Sequence, residues 1–143
     1  MIHFVLLQNK QGKTRFSKFF TSCSEQEQRQ TEEEVLNLVL PRKDKQTNFL
    51  EYKSYRLIYR RYQALYFILC VDLEDNELMY LEFIHFLVEC LDAVFEEVSE
   101  LDLVYGFHRV YAVIDELILA GEIQETSPEV VLDRMREMHN AAL

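Results

Sequence analysis

The chain has 143 residues, of which 49% are hydrophobic and 28% charged, with only three glycines and two prolines. This composition excludes disorder and collagen, and the longest uninterrupted apolar run, residues 64–71, falls far short of the ~20 residues that a membrane helix needs. Three cysteines without metal or redox spacing, and a start without a basic flank before an apolar stretch, favour a cytoplasmic protein with reduced thiols. We expect one domain over residues 1–143.

The formal net charge of -10 is unevenly distributed along the chain. Residues 1–72 hold 12 basic and 8 acidic side chains, whereas residues 73–143 hold 3 and 17. Two interpretations stay open: the two halves neutralise each other within the fold, or each half meets a partner of opposite charge. Because the whole molecule repels phosphate, we expect no nucleic-acid partner.

The first half of the chain predicts short strands and one helix. Residues 2–7 and 14–20 predict a hairpin, and Ser24 has capping-box spacing ahead of a helix that Pro41 ends. Three more short strands follow, with connections too short for crossovers: 47–52, 55–62 and 64–71. The pattern therefore predicts a sheet of about five strands, mostly antiparallel.

The second half predicts helices. Asp75 or Asn76 can cap a long helix that runs to about Val98 and is apolar around most of its circumference. Such a helix is buried on more than one side, and we expect a chain of this size to leave its outer face to a partner. Three further segments predict the remaining helices: a cap at Ser99, a helix from Phe107 to a C-cap at Gly121, and a last helix opened by Ser127 and Pro128.

No catalytic motif is present in the sequence. Glycines stand only at positions 12, 106 and 121, which excludes glycine-rich phosphate loops and nucleophile elbows. His85 and Cys90 are five residues apart on one predicted helix, a spacing that does not suit a catalytic dyad. The four histidines are scattered singly, so we predict neither a metal site nor a cofactor, and no enzymatic activity.

Four basic residues decorate the first predicted hairpin: Lys10, Lys13, Arg15 and Lys18. They are either solvated charges that protect a sheet edge from strand addition, or a docking point for an acidic peptide. In the second case an arginine would supply a two-pronged contact to a carboxylate. Both interpretations stay open at this point.

Four stretches together resemble the small, or sigma, subunit of clathrin adaptor complexes, over about residues 1–127 without a gap: MIHFVLLQNKQGKTRFSKFF, TNFLEYKSYRLIYRRYQALYFILCVD, DNELMYLEFIHFLVECLD and SELDLVYGFHRVYAVIDELILAGEIQETS. The IYRRY and NFLEY stretches resemble the plasma-membrane (endocytic) branch more than the Golgi branch. The resemblance implies a longin-like α/β (α+β) fold, with a five-stranded antiparallel sheet packed between helices and additional C-terminal helices.

The resemblance also implies a function in vesicle-mediated transport. Members of the family are non-enzymatic subunits of a heterotetramer with two large subunits and a medium subunit, and they associate with membranes through that complex. The endocytic branch acts on the cytosolic face of the plasma membrane at clathrin-coated pits. There the small subunit helps bind acidic dileucine signals, two adjacent apolar residues that follow an acidic residue in a cargo tail, while tyrosine-based signals bind the medium subunit.

Site residues follow from the same resemblance. The positions that match the family's leucine pockets are Leu65, Val88, Val98 and Leu103. We expect Val88 and Val98 to lie on one helix and all four residues to line one apolar slot, with Arg15 beside the signal's acidic residue. The chain departs from the family at two positions of the pocket rim: Gln63 replaces the usual alanine, and Glu97 replaces the asparagine of the endocytic branch.

One alternative from another class stays open. A stand-alone longin-type regulatory domain would have a similar fold and would bind a helix of a SNARE fusion protein or a small GTPase. A C-terminal extension with a heptad pattern would favour that alternative, and we expect none, since the chain ends at Leu143.

Overall fold

A five-stranded antiparallel sheet organises the molecule, whose computed structural model describes residues 1–42, 48–124 and 127–141. Its strands are β1 (Ile2–Asn9), β2 (Thr14–Phe19), β3 (Phe49–Tyr52), β4 (Tyr55–Tyr62) and β5 (Leu65–Asp72). They lie side by side in the order β2-β1-β5-β4-β3. The predicted strands and their antiparallel pairing are confirmed, although residue 47, the predicted start of the third strand, lies outside the described residues.

Helices cover both faces of the sheet. Alternate residues of β1 point to opposite faces, so Phe4 and Leu6 join the cluster around α1 (Glu25–Val39), while Val5 and Leu7 join the larger cluster on the other face. Strands covered on both faces are nearly continuously apolar, which explains the long apolar runs of β1, interrupted by His3, and of β5. The fold is the expected one of a sheet between helices.

The helix α1 begins where the sequence predicts it. The Ser24 hydroxyl oxygen accepts a hydrogen bond from the Glu27 amide at 3.2 Å. The Glu27 carboxylate accepts from the Ser24 hydroxyl at 3.2 Å and not from the Ser24 backbone amide. The capping box is therefore only half formed. The helix ends at Val39, ahead of Pro41.

The long helix α2 (Glu77–Phe95) ends one turn earlier than predicted. Its N-terminus is capped by Asn76, whose side-chain oxygen accepts from two backbone amides of the first turn. At the other end Glu96 adopts a φ of +71°, which a helix cannot continue through. The Asp92 carboxylate then accepts from the Val98 amide at 2.9 Å and holds the chain in a reversal. The expectation that Val98 lies on this helix with Val88 is therefore wrong.

The chain itself covers the outer face of α2. The helices α4 (Phe107–Leu117) and α5 (Pro128–Ala141) both pack against α2 and bury their apolar stripes with it in one cluster. The Arg109 guanidinium donates to the backbone oxygens of Val94 and Met138, which ties the end of α2 to α5. Only the first turn of α2 leaves large apolar side chains exposed, at Leu78 and Met79. The expectation that a partner must cover this face is wrong, because the last helix does so.

The segment after α4 also differs from the prediction. The short helix α3 (Glu100–Tyr105) has a complete capping box between Ser99 and Asp102, as expected of its cap. However, α4 ends at Leu117, and β6 (Ile118–Leu119) and β7 (Glu122–Ile123) form a small hairpin. Gly121, with a φ of +86°, therefore belongs to a tight turn and not to a helix C-cap. A side chain there would meet the carbonyl oxygen of Ile2, whose amide donates to Gly121 at 2.7 Å.

Ion pairs join the basic half of the chain to the acidic half. Arg15 pairs with Glu100, Lys18 with Asp115 and Arg56 with Glu77, each a strand residue facing a helix of the second half. These pairs support the interpretation that the two halves neutralise each other within the fold. Among the helices of the described residues, none is long and apolar enough to cross a lipid bilayer.

Candidate functional site

A small cavity lies between the β4–β5 turn and the segment that follows α2. Its volume is about 120 Å³. Five predicted site residues line it: Gln63, Leu65, Val88, Glu97 and Val98. The three apolar ones are nearly buried, with 3%, 8% and 8% of Leu65, Val88 and Val98 exposed. Polar side chains line it as well, among them Asp92. An apolar cavity of ~150 Å³ takes a benzene-sized group, so the apolar part of this cavity has room for one branched aliphatic side chain.

The sheet wall of the cavity is built by a tight hairpin. Tyr62 and Leu65 are paired across the β4–β5 turn, which leaves Gln63 and Ala64 as a two-residue loop. Gln63 has a φ of +55°, the left-handed conformation that such turns require. Leu65 and Phe67 are two residues apart on β5 and therefore face the same side, toward α2. The hairpin thus places an apolar floor and a polar lip next to each other.

The opposite wall comes from α2 and its reversal. Val88 faces the sheet from the last third of the helix. The turn at Glu96 and the bond from the Val98 amide to Asp92 then return the chain, so that Val98 lies near Val88 although it left the helix. Sequence periodicity alone could not show this, since it continued the helical stripe to Val98.

A hydrogen bond crosses the mouth of the cavity. The side-chain nitrogen Nε2 of Gln63 donates to Oε1 of Glu97 at 3.0 Å, and both side chains are exposed. Behind it, Nε of Arg61 donates to the Gln63 carbonyl oxygen at 3.1 Å. The two positions at which the sequence departs from the family pattern are therefore in direct contact with each other.

Leu103 lies apart from this cavity. It is fully buried on α3 and lines a second, larger hollow of about 460 Å³. Arg15, Val104, Phe107 and Tyr111 are among the other residues around that hollow. The structure thus divides the expected single slot in two: the 120 Å³ cavity, which we call the apolar cavity, and the hollow with Leu103 and Arg15, which we call the Arg15 hollow.

Arg15 already has a partner within the chain. Its Nε donates to Oε1 of Glu100 at 2.6 Å, and the side-chain amide of Asn9 donates to the same oxygen at 2.7 Å. The bonds from Asn9 and Arg15 hold the pKa of Glu100 below its ordinary value. The sequence analysis missed Glu100, and its position in the first turn of a capped helix was the one available signal.

The apolar cavity and the Arg15 hollow are neighbours. Leu65 of the cavity is paired with Asn9 across the β1–β5 ladder. Asn9 in turn shares the Glu100 carboxylate with Arg15. The cavity is therefore separated from the Arg15 guanidinium by one strand pairing and one hydrogen-bonded side chain. This arrangement suits a peptide that has an apolar side chain at one point and a carboxylate at another.

Cys90 and His85, which the sequence analysis considered as a reactive pair, lie in different environments. The Cys90 thiol is fully buried, and this burial raises its pKa to about 12, which leaves it protonated and unreactive. His85 instead faces Glu89 at 2.9 Å and the Tyr62 hydroxyl at 3.3 Å. Within residues 1–42, 48–124 and 127–141, no three metal-ligating side chains come together.

Comparisons with known proteins agree with the resemblance. The sequence matches the family described as "Clathrin adaptor complex small chain" over residues 1–142. It is 52% identical to the AP-2 complex subunit sigma of Dictyostelium discoideum over 140 residues, covering 98% of this chain and 99% of that protein. The AP-1 complex subunit sigma-2 of the same organism is 51% identical over 130 residues, covering 91% and 84%.

A structural comparison leads to the same group of proteins. A chain of the structure described as "Homology model of the full-length AP-3 complex in a stretched open conformation" superposes with a TM-score of 0.75. It is 32% identical in sequence, and the match covers 99% of this chain and 95% of that chain.

Proposed function

Because the chain belongs to the clathrin adaptor complex small chain family, we propose that it binds acidic dileucine sorting signals of cargo tails as the small subunit of an adaptor complex. The observation that carries the proposal is the apolar cavity of about 120 Å³ between Leu65, Val88 and Val98, which suits an aliphatic side chain. The proposed residues at its rim are Gln63 and Glu97.

The affinity expected of this cavity is modest. Burial of one leucine side chain contributes roughly 1.5 to 3 kcal/mol before the cost of ordering the peptide. The second apolar residue of the signal has no room in the same cavity, so we propose that it lies against the surface between the cavity and Leu103. Weak binding suits a signal that must be captured and released.

Arg15 is the proposed contact for the acidic residue of the signal. Its guanidinium is paired with Glu100 but remains partly exposed, with 30% of the side chain accessible. A guanidinium has five donors in a fixed fork, so it can keep one bond to Glu100 and offer others to a cargo carboxylate. Arg15 and Asn9 share the Glu100 carboxylate, and Asn9 pairs with Leu65 in the sheet, which supports one peptide reaching both regions.

The proposal extends to the partners and the place of action. We propose that residues 1–143 act as one non-enzymatic, cofactor-free domain in a heterotetramer with two large subunits and a medium subunit. The complex would act in endocytosis, on the cytosolic face of the plasma membrane at clathrin-coated pits. The exposed apolar side chains of Leu101 and Tyr105 on α3, which do not line the Arg15 hollow, support burial against another subunit.

The test is a titration of a labelled acidic dileucine peptide against the purified complex with and without Val88→Asp. The substitution places a carboxylate in the apolar cavity, where its desolvation on peptide docking costs several kcal/mol. We expect loss of dileucine binding, while a tyrosine-based peptide binds as before. The control Val88→Ala keeps the cavity apolar, and we expect it to retain dileucine binding.

Wild-type affinity in the Val88→Asp complex would refute the proposed cavity, provided that the variant chain still co-purifies with its partner subunits. Co-purification also shows that any loss of binding comes from the cavity and not from failed assembly.

A further inference from the structure

The hydrogen bond across the mouth of the apolar cavity leaves a charge without compensation. Glu97 accepts from Gln63 at 3.0 Å, and Gln63 is neutral. No ion pair joins Glu97 to any residue that the structure describes. The exposed carboxylate at this lip therefore stays available to a charged group that arrives with a ligand.

The other acidic residues near the mouth are already engaged within the chain. The Asp92 carboxylate accepts from the Val98 amide at 2.9 Å and thereby holds the wall of the cavity in place. Glu96 is turned toward His139, whose ring nitrogen lies 3.2 Å from its carboxylate. Of the three carboxylates that follow one another around this reversal, Glu97 is the one directed across the opening.

Gln63 and Glu97 both line the cavity and are bonded to each other, so a ligand that enters it meets this bonded pair. The bond joins the two lips, and each lip is fixed by a residue at positive φ or adjacent to one, Gln63 at +55° and Glu96 at +71°. The backbone of these tight turns has little freedom to withdraw, so the side chains have to rotate apart. Glu97 then exchanges its bond to Gln63 for a bond to water or to a donor that the ligand brings.

We propose that Glu97 determines which residue is tolerated beside the apolar pair of a bound peptide. This inference rests on the proposed function. A lysine, an arginine or another hydrogen-bond donor beside the pair replaces the amide of Gln63 and is preferred, whereas a carboxylate there is repelled. The protein would then prefer a carboxylate of the peptide beside Arg15 and a cationic or hydrogen-bond-donating residue of the peptide beside Glu97.

The experiment uses the purified adaptor complex and a set of labelled dileucine peptides. The peptides are identical except for lysine, glutamine or glutamate at the position directly before or directly after the apolar pair. For wild type we expect the lysine peptide to bind about three- to tenfold tighter than the glutamate peptide at one of these positions, the range of an exposed ion pair and its reversal. The preference should shrink at high salt.

Two variants separate charge from the closing bond. Glu97→Gln keeps the size of the side chain and removes its charge, so the lysine and glutamate peptides should bind within about twofold of each other. Gln63→Ala removes the hydrogen-bond donor to Glu97 but leaves the charge of Glu97. The lysine peptide should therefore still bind more tightly than the glutamate peptide. Affinity for all of them should rise slightly, because no bond has to be broken on entry.

The outcomes distinguish this inference from the proposed function. Suppose that Val88→Asp abolishes binding but Glu97→Gln still prefers the lysine peptide over the glutamate peptide as wild type does, at both positions. The role of Glu97 is then refuted, and the proposed binding of the apolar side chain in the cavity is supported. If Val88→Asp binds every peptide as wild type does, the proposed cavity is refuted and the inference with it.

Discussion

The apolar cavity and the Arg15 hollow are built by opposite means. The cavity depends on backbone turns, with Gln63 and Glu96 at positive φ and Val98 returned by a bond to Asp92. The Arg15 hollow depends on regular elements, a strand residue held by the first turn of a capped helix. In the proposed function, the first region accommodates an apolar side chain and the second contacts a carboxylate.

This difference separates two kinds of contribution to binding. Apolar burial in the cavity acts at short range and is insensitive to salt, whereas the charge of Arg15 acts at longer range and is screened. The two regions are connected through Asn9, which pairs with Leu65 in the sheet and donates to Glu100. Substitutions of Val88 or of Arg15 keep Asn9 in place, so each should leave the properties of the other region largely intact.

The largest expected effect concerns stability and contrasts Leu103 with Val88. Leu103 is fully buried, so Leu103→Ala should lower the free energy of unfolding by about 2 to 5 kcal/mol through the cavity it leaves. Val88 already borders a cavity. Val88→Ala should therefore lower the free energy of unfolding by only about 1.5 kcal/mol, the transfer free energy of two methyl groups. Denaturant unfolding of both variants measures the difference. Equal losses would show that Leu103 belongs to an open pocket wall.

The next largest effect concerns the charge of Arg15. Arg15→Glu should weaken binding of an acidic dileucine peptide by about tenfold or more, because a hydrogen bond to a charged group is worth roughly 1.5 to 3 kcal/mol. The loss should be smaller at high salt. Lys10→Glu is the matched control, since it makes the same charge change at an exposed position of the same hairpin. Equal effects of the two variants would mean that general charge, and not a contact at Arg15, attracts the peptide.

The smallest effect concerns pH. The pKa of Glu100 is lowered from 4.5 by its bonds to Asn9 and Arg15, so its charged form stabilises the folded protein. That contribution is fully present above pH 4.5, the ordinary value, and is lost as the pH falls through the lowered pKa. The difference in thermal stability between wild type and Glu100→Gln should therefore be larger at pH 7 than at pH 3. A difference that does not change with pH would contradict a paired carboxylate.

Local signals made much of the fold predictable from the sequence. The hairpins and the caps at Ser24, Asn76 and Ser99 depend on residues within a few positions of each other. The family resemblance supplied the site positions, and five of the seven line one cavity. These parts required no knowledge of which distant segments meet.

The parts that could not be predicted all depend on distant contacts. The last helix, α5, packs against α2. From the apolar circumference of α2 alone, we would expect a partner to cover this face. Gly121 lies against Ile2 at the other end of the described chain, so its turn is set by that close approach. The bond between Gln63 and Glu97 joins residues 34 positions apart, and periodicity placed the second of them on a helix.

The central claim is that one peptide contacts both the apolar cavity and Arg15. The most direct measurement titrates two dileucine peptides, one with its acidic residue and one with the corresponding amide, against wild-type, Val88→Asp and Arg15→Ala complexes. We expect the Val88→Asp complex to bind neither peptide. We expect the Arg15→Ala complex to bind both peptides with similar affinity, because the acidic peptide loses its tighter binding relative to the amide peptide. The claim would be contradicted if Arg15→Ala weakened both peptides equally, or if Val88→Asp still bound either peptide with wild-type affinity.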